Sequence, residues 1–99
     1  MFSSRELARI DGADVRFARG AVGPVHEAMV AAAGERNVWL VGGGGLAVAF
    51  ADEGVLDELH LTIVPVVLGS GFPAFAGRLR DRLALTGTRV FRNGMVELR

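Results

Sequence analysis

The sequence contains no cysteine and no lysine. Without cysteine there can be neither a disulfide nor a thiolate metal site, so the 99 residues depend on their apolar core or on a partner for stability. All 11 basic residues are arginine, and 11 acidic residues balance them. A chain with no net charge lacks the field that would hold a nucleic-acid backbone or an anionic membrane surface. We therefore predict that neither nucleic acid nor a membrane is a partner.

The sequence also lacks an apolar run suited to crossing a bilayer. The uncharged stretch 37–51 is interrupted by four glycines and falls short of the roughly 20 apolar residues that a membrane-spanning helix needs. Near the N-terminus, Arg5 and Glu6 stand where a secretory signal would carry an apolar segment. Together these features predict a cytoplasmic protein.

The most informative motif is an apolar segment, residues 38–41, that runs through Gly42-Gly43-Gly44-Gly45 into the apolar segment 46–50. The pattern predicts a strand, a turn and a helix. Glycine lets the backbone come close to a ligand, and the free N–H groups and dipole at the start of a helix attract an anion. The motif therefore indicates a phosphate site of the kind that binds a nucleotide.

Known nucleotide motifs fit this segment only in part. A Walker loop needs a lysine followed by Ser or Thr, whereas Leu46 and Ala47 follow the glycines here, which argues against ATP or GTP hydrolysis. The Rossmann spacing is met formally, but Asp57 and Glu58 lie at the start of the next predicted strand rather than at its end. A turn that binds no ligand remains the alternative, although four glycines carry an entropic cost that a simple connection would avoid.

Apolar periodicity and turn residues predict a mixed α/β sheet with right-handed crossovers. The predicted strands are 15–17, 38–41 and 58–65, and the predicted helices are 25–33 and 46–52. Beyond them, the segments 83–91 and 95–98 flank Asn93-Gly94, a hairpin signature. Phe2, Ser3 and Ser4 read as the end of a strand whose beginning is missing.

Several segments together resemble dihydrofolate reductase-like proteins, specifically the group that shares the riboflavin-biosynthesis reductase (RibD C-terminal) domain. The resembling segments are Val41-Gly42-Gly43-Gly44, Phe50, Asp57-Glu58-Leu59 and Pro65-x-x-Leu68-Gly69-Ser70-Gly71. The last two are more specific than the glycines. The resemblance implies that residues 1–99 are the C-terminal, cofactor-binding part of such a domain. It also implies a mixed, mostly parallel sheet with flanking helices and a C-terminal antiparallel hairpin, with the N-terminal strands missing.

The resemblance implies hydride transfer from NADPH to a pterin- or pyrimidine-like substrate, as in dihydrofolate reduction or the reduction of 5-amino-6-(5-phosphoribosylamino)uracil. By position, Gly42, Gly43 and Gly44, with the N–H groups of Gly45 and Leu46, would hold the pyrophosphate. In dihydrofolate reductases the first glycine pair is joined by a cis peptide.

Three residues near the N-terminus match the loop that receives the adenosine end of the cofactor in this family. These are Ser3, Ser4 and Arg5. Hydroxyls and a guanidinium there could bind a 2′-phosphate and favour NADPH over NADH.

The chain departs from the family pattern at two points. Riboflavin reductases usually carry a glutamate where this chain has Gly42, so the substrate stays open. The family's N-terminal half, with most of the substrate pocket, has no counterpart before Met1. Two hypotheses follow. The chain is the cofactor-binding half of an NADPH-dependent reductase, or it is a non-catalytic folding or dimerisation module whose exposed sheet edge pairs with a second copy.

Other polar residues are better explained by structure than by chemistry. Adjacent strand residues such as Asp57 and Glu58 point to opposite faces and cannot form a catalytic dyad. His26 and His60 have no companion at metal-ligand spacing, so we predict no metal site.

The sequence leaves open part of the role of an arginine cluster and of a loop that carries two phenylalanines. The alternating arginines near residue 80 fit a solvated strand edge better than a phosphate patch; they are Arg78, Arg80 and Arg82, beside Asp81. Phe72 and Phe75 are expected to pack into the core, and the role of Ser70 stays open.

Overall fold

The computed structural model describes residues 1–79 and 82–99 and divides them into two compact units, Met1–Trp39 and Leu40–Arg99. The elements in chain order are helix α1 (Gly23–Ala33), helix α2 (Gly44–Asp52) and strands β1 (Leu61–Ile63), β2 (Thr88–Val90) and β3 (Val96–Leu98).

The first unit is built around α1. Pro24 lies in its first turn, where a missing N–H costs nothing, and Gly34 ends it with its N–H donated to the carbonyl of Val30 at 3.1 Å. The helix predicted over residues 25–33 is confirmed. The predicted strand at 15–17 is not formed; one isolated parallel bridge joins Phe2 to Ala18, the residue that follows that segment.

In the second unit, α2 follows an extended Gly43 and ends at Asp52, so the predicted helix is confirmed with a start two residues earlier. Phe50 on this helix is buried, with 2% of its surface exposed. The carbonyl of Phe50 accepts a hydrogen bond from the N–H of Val55 at 3.1 Å, which brings the chain back across the end of the helix.

The second unit also contains a three-stranded antiparallel sheet with the order β1-β3-β2. Residue pairs between β1 and β3 are Leu61 with Leu98, Thr62 with Glu97, and Ile63 with Val96. Pairs between β2 and β3 are Thr88 with Leu98, Arg89 with Glu97, and Val90 with Val96. Because β3 lies in the centre, the C-terminal strand holds the other two together.

The predicted hairpin around Asn93-Gly94 is confirmed. Gly94 has a φ of +84° and donates its N–H to the carbonyl of Phe91 at 3.0 Å, while the side-chain oxygen of Asn93 accepts from the N–H of Met95 at 3.3 Å. A left-handed residue after asparagine gives the turn the twist that two antiparallel strands require.

The parallel part of the expected sheet is not seen among the described residues. Residues 38–41, predicted as a strand, form no ladder with another described segment. The strand predicted over 58–65 is reduced to the three residues of β1. The physical reason is that a strand exists only beside a partner, and an apolar run alone does not provide one. Without a neighbouring strand, the side chains of this segment are left uncovered: Trp39 is 85% exposed and Val41 is 73% exposed. The molecule is thus a small α/β protein with an antiparallel sheet.

Within residues 1–79 and 82–99, neither helix combines the length and the hydropathy needed to cross a bilayer.

The hairpin turn gives a first prediction. Gly94→Ala should lower the free energy of unfolding by about 1 kcal/mol, because alanine is strained at positive φ. The added Cβ would also lie 3.3 Å from Cγ of Pro65. For a domain of this size the melting temperature should fall by about 4–8 °C. Gly71→Ala is the control, since a Cβ there would meet no described residue within 4 Å. Equal melting temperatures for the two variants would contradict this account of the turn.

Candidate functional site

The predicted phosphate site lies at the start of α2, and we call residues 42–46 the glycine turn. Gly43 is extended, with φ −70° and ψ 155°, and Gly44 is the first residue of the helix. The N–H of Leu46, which was expected to contact phosphate, donates to the carbonyl of Gly43 at 3.0 Å. The N–H groups that precede it, at Gly44 and Gly45, belong to the first helical turn, where an α-helix supplies no backbone acceptor.

One side of the glycine turn is fixed by close backbone packing. A Cβ on Gly44 would lie 1.9 Å from the carbonyl oxygen of Ala74 and 2.5 Å from Cα of Phe75. A Cβ on Gly45 would lie 3.6 Å from Cβ of Ala76, an ordinary contact. Gly44 is therefore required by packing whether or not a ligand binds.

The other side of the glycine turn is open. Among the described residues, a Cβ on Gly43 would meet nothing within 4 Å, and one on Gly42 would lie 3.8 Å from Cδ2 of Leu46. The first turn of α2 carries no acidic side chain that would repel an anion. Exposed backbone, a helix N-terminus and the absence of negative charge fit a phosphate group.

The expected cis peptide between Gly42 and Gly43 is not present, since the described residues contain only trans peptide bonds. The trans form is the one that a non-proline peptide adopts unless its surroundings impose the other, and the open side of the turn imposes nothing.

The residues expected to receive the adenosine end lie in the first unit and form a turn of their own. The hydroxyl of Ser3 donates to the carbonyl of Arg5 and accepts from the N–H of Arg5, each at 3.1 Å. Ser4 and Arg5 are exposed. The Ser3 hydroxyl thus holds the turn that presents the Arg5 side chain, a role that the pattern Ser-Ser-Arg did not by itself predict.

The arginines near residue 80 are described only in part. Arg78 lines a cleft of about 500 Å³ beside α2 together with Val48, Asp52 and Gly77. None of the glycine-turn residues lines that cleft. Arg80 and Asp81 lie outside the described residues, so the choice between a phosphate patch and a strand edge stays a prediction.

A network of polar side chains lies where β1 begins and β3 ends, and sequence reasoning missed it. His60 Nε2 lies 2.9 Å from Oε1 of Glu58, and His60 Nδ1 lies 4.0 Å from Oε2 of Glu97. Oε1 of Glu97 in turn accepts from Nε of Arg99 at 3.0 Å. Spacing by two residues, which places side chains on one face of a strand, was the available signal. The network supports the predicted structural role of Glu58.

Over the described ranges 1–79 and 82–99, no three His, Cys, Asp or Glu side chains come together in a way that could hold a metal ion.

Residues 25–97 match the family model of the RibD C-terminal domain. This match covers most of the chain, including the glycine turn and most of the C-terminal hairpin. The chain therefore belongs to the RibD C-terminal domain family, a group of riboflavin-biosynthesis reductase-like domains.

Three curated proteins are similar to parts of the chain, and one of them is named RibD. The chain is 41% identical over 64 residues to the uncharacterized protein YyaP of Bacillus subtilis, a match that covers 64% of the chain and 34% of the relative. It is 43% identical over 56 residues to the uncharacterized protein YwjB of the same organism, a match that covers 56% of the chain and 32% of YwjB. It is 40% identical over 52 residues to the riboflavin biosynthesis protein RibD of Corynebacterium ammoniagenes, a match that covers 52% of the chain and 15% of that protein. The matched stretch thus spans about a third or less of these relatives.

The two sides of the glycine turn give a second prediction. Gly44→Ala should lower the free energy of unfolding by about 3 kcal/mol, because its Cβ collides with backbone that cannot move alone. Gly43→Ala should lower the free energy of unfolding by at most about 1 kcal/mol, because the added Cβ has room and only the preference for glycine over alanine at a helix cap is lost. Chemical denaturation of both variants measures the difference. A Gly44→Ala protein as stable as Gly43→Ala would show that the close contact with Ala74 does not exist.

Proposed function

We propose that this chain is the cofactor-binding part of an NADPH-dependent reductase of the RibD C-terminal type. The observation that carries the proposal is the glycine turn, closed by packing at Gly44 and open at Gly42 and Gly43, in a chain that belongs to this family. Gly43 also caps α2, where glycine is modestly preferred to alanine, and the open backbone at Gly42 and Gly43 allows the close approach that a pyrophosphate needs.

In this proposal the backbone N–H groups of Gly43, Gly44 and Gly45 hold the pyrophosphate, supported by the positive end of the α2 dipole. The family resemblance assigns the 2′-phosphate to Arg5, which the Ser3 turn of the first unit presents and whose planar guanidinium offers two parallel donors. NADPH supplies the hydride, and these residues bind and orient it. A cytoplasmic location, where NADPH is available, is part of the same proposal.

The substrate in this proposal is a small planar heterocycle of the pterin or pyrimidine class. The RibD relative favours the pyrimidine of riboflavin biosynthesis, while Gly42 in place of a glutamate favours the dihydrofolate reductase-like branch. We assign no residue of this chain to the reacting atoms. The relatives extend well beyond the matched stretch, so the proposal for these residues is limited to cofactor binding.

The third prediction tests cofactor binding. NADPH should produce a saturable change in the fluorescence of Trp39, an exposed residue three positions before Gly42. Gly43→Val should abolish the change, because two methyl groups would occupy the open side of the turn while the extended backbone of Gly43 suits valine. Circular dichroism should show the variant folded.

Ala31→Val, on the exposed surface of α1, is the matched control and should bind NADPH like the unmodified chain. No fluorescence change at millimolar NADPH would contradict the proposed function. A change that persists in Gly43→Val would place the cofactor elsewhere.

A second candidate function is association with another copy of the chain, favoured by an exposed apolar segment. Val66, Val67 and Leu68 are 61%, 96% and 79% exposed, and they follow β1, whose outer edge has no ladder partner within the described residues. Uncovered strand edges and apolar patches of this kind are the usual surfaces of dimers. Two antiparallel β1 edges would be self-complementary, as a two-fold axis requires.

The fourth prediction follows from that surface. Sedimentation velocity should show a dimer fraction that rises with protein concentration, and Val67→Asp should reduce it by placing a charge in the apolar contact. Val30→Asp, which adds the same charge to an exposed valine of α1, should leave it unchanged. A chain that stays monomeric at every concentration would overturn the association proposal and leave the reductase proposal intact.

A further inference from the structure

Phe72 does not pack into the core as the sequence predicted. Its side chain is fully exposed, at 101% of the reference surface, while Phe75 is partly covered. Burying a phenylalanine is favourable, so a fully exposed ring on a glycine-rich loop is a candidate for contact with a binding partner. The sequence around it, from Leu61 to Gly77, contains no charged residue.

The position of Phe72 relative to the glycine turn follows from the packing of Ala74. The carbonyl oxygen of Ala74 lies against Gly44, where a Cβ would come within 1.9 Å of it. Phe72 is two residues before Ala74 along the chain, so its Cα lies within about 8 Å of the Cα of Ala74. The phenylalanine side chain extends several ångströms from its own Cα and can cover much of this distance. Its ring is therefore within reach of a ligand whose phosphates rest on the glycine turn.

The loop that carries the ring is suited to adjust to such a ligand. Gly69 has a φ of +74°, and Gly71 has open space on its side-chain face. Both glycines permit backbone changes that other residues resist. Pro73 then fixes the chain direction as it enters the contact with Gly44.

We propose that Phe72 stacks on a planar ring of the dinucleotide held by the glycine turn, and so contributes to ligand affinity. This inference rests on the proposed function and adds a specific aromatic contact to it. The ring is either the nicotinamide or the adenine, and both offer the flat π-face that phenylalanine stacks on.

The test is isothermal titration of the full chain with NADPH and with 2′-phospho-ADP-ribose, which lacks the nicotinamide. Phe72→Ala should weaken NADPH binding about tenfold or more, the usual effect of losing one stacked aromatic. Phe72→Tyr should keep the affinity, because it keeps the ring. Val90→Ala is the matched control, an exposed apolar residue of β2 outside the glycine turn and the segment 66–68, and should bind normally. If Phe72→Ala weakens only NADPH, the ring is the nicotinamide; if both ligands weaken, it is the adenine.

Three results would overturn the inference. Unchanged NADPH affinity in Phe72→Ala, with normal binding by the unmodified chain, refutes the stacking contact and leaves the proposed function standing. Equal weakening in Phe72→Tyr and Phe72→Ala shows that the ring face is not the contributing group. Failure of the unmodified chain to bind either ligand refutes the proposed function and the stacking contact together.

Discussion

The contact between Gly44 and the backbone of Ala74 and Phe75 is the constraint on which the second unit depends. It joins the first residue of α2 to a segment about thirty positions further along the chain, at a distance that no side chain at residue 44 would allow. Because the contact involves backbone on both sides, neither partner can yield by changing a rotamer. It fixes where the helix begins and therefore where its first N–H groups point. A second contact, in which a Cβ on Gly77 would lie 3.0 Å from Val48 Cγ1, continues the same packing along α2.

The same constraint explains why the glycines differ from one another. A run of four looks uniform in the sequence, yet Gly44 is needed for packing, Gly45 makes an ordinary contact, and Gly42 and Gly43 face open space. Packing therefore explains Gly44, while the proposed ligand contact concerns Gly42 and Gly43. A binding surface made of backbone is useful only if the backbone is held still, and the packed half of the turn provides that rigidity.

Sequence reasoning succeeded where the signal is local. Pro24 and Gly34 mark the ends of α1, and Asn93-Gly94 marks the hairpin, because the backbone preferences of these residues act within a few positions. It failed where a structure depends on a distant partner. The apolar run before Gly42 predicted a parallel strand, but a strand needs a neighbour, and the pattern alone does not supply one.

The same division applies to the candidate site. The glycine turn was predicted from its residues, whereas the contact with Ala74, the exposure of Phe72 and the pairing of His60 with Glu97 arise between segments far apart in the chain. The prediction that Phe72 packs into the core was wrong because hydrophobicity predicts burial only on average. The family resemblance, which rested on several segments taken together, is confirmed over residues 25–97.

The central claim is that the glycine turn binds a dinucleotide through its backbone amides. The most direct test is amide ¹H–¹⁵N chemical-shift mapping of the labelled chain during an NADPH titration. The account predicts the largest saturable shifts at the N–H groups of Gly43, Gly44 and Gly45, with Gly94 in the hairpin turn unaffected. Shifts that are absent from these three amides at saturating NADPH, or that are confined to other parts of the chain, would contradict it.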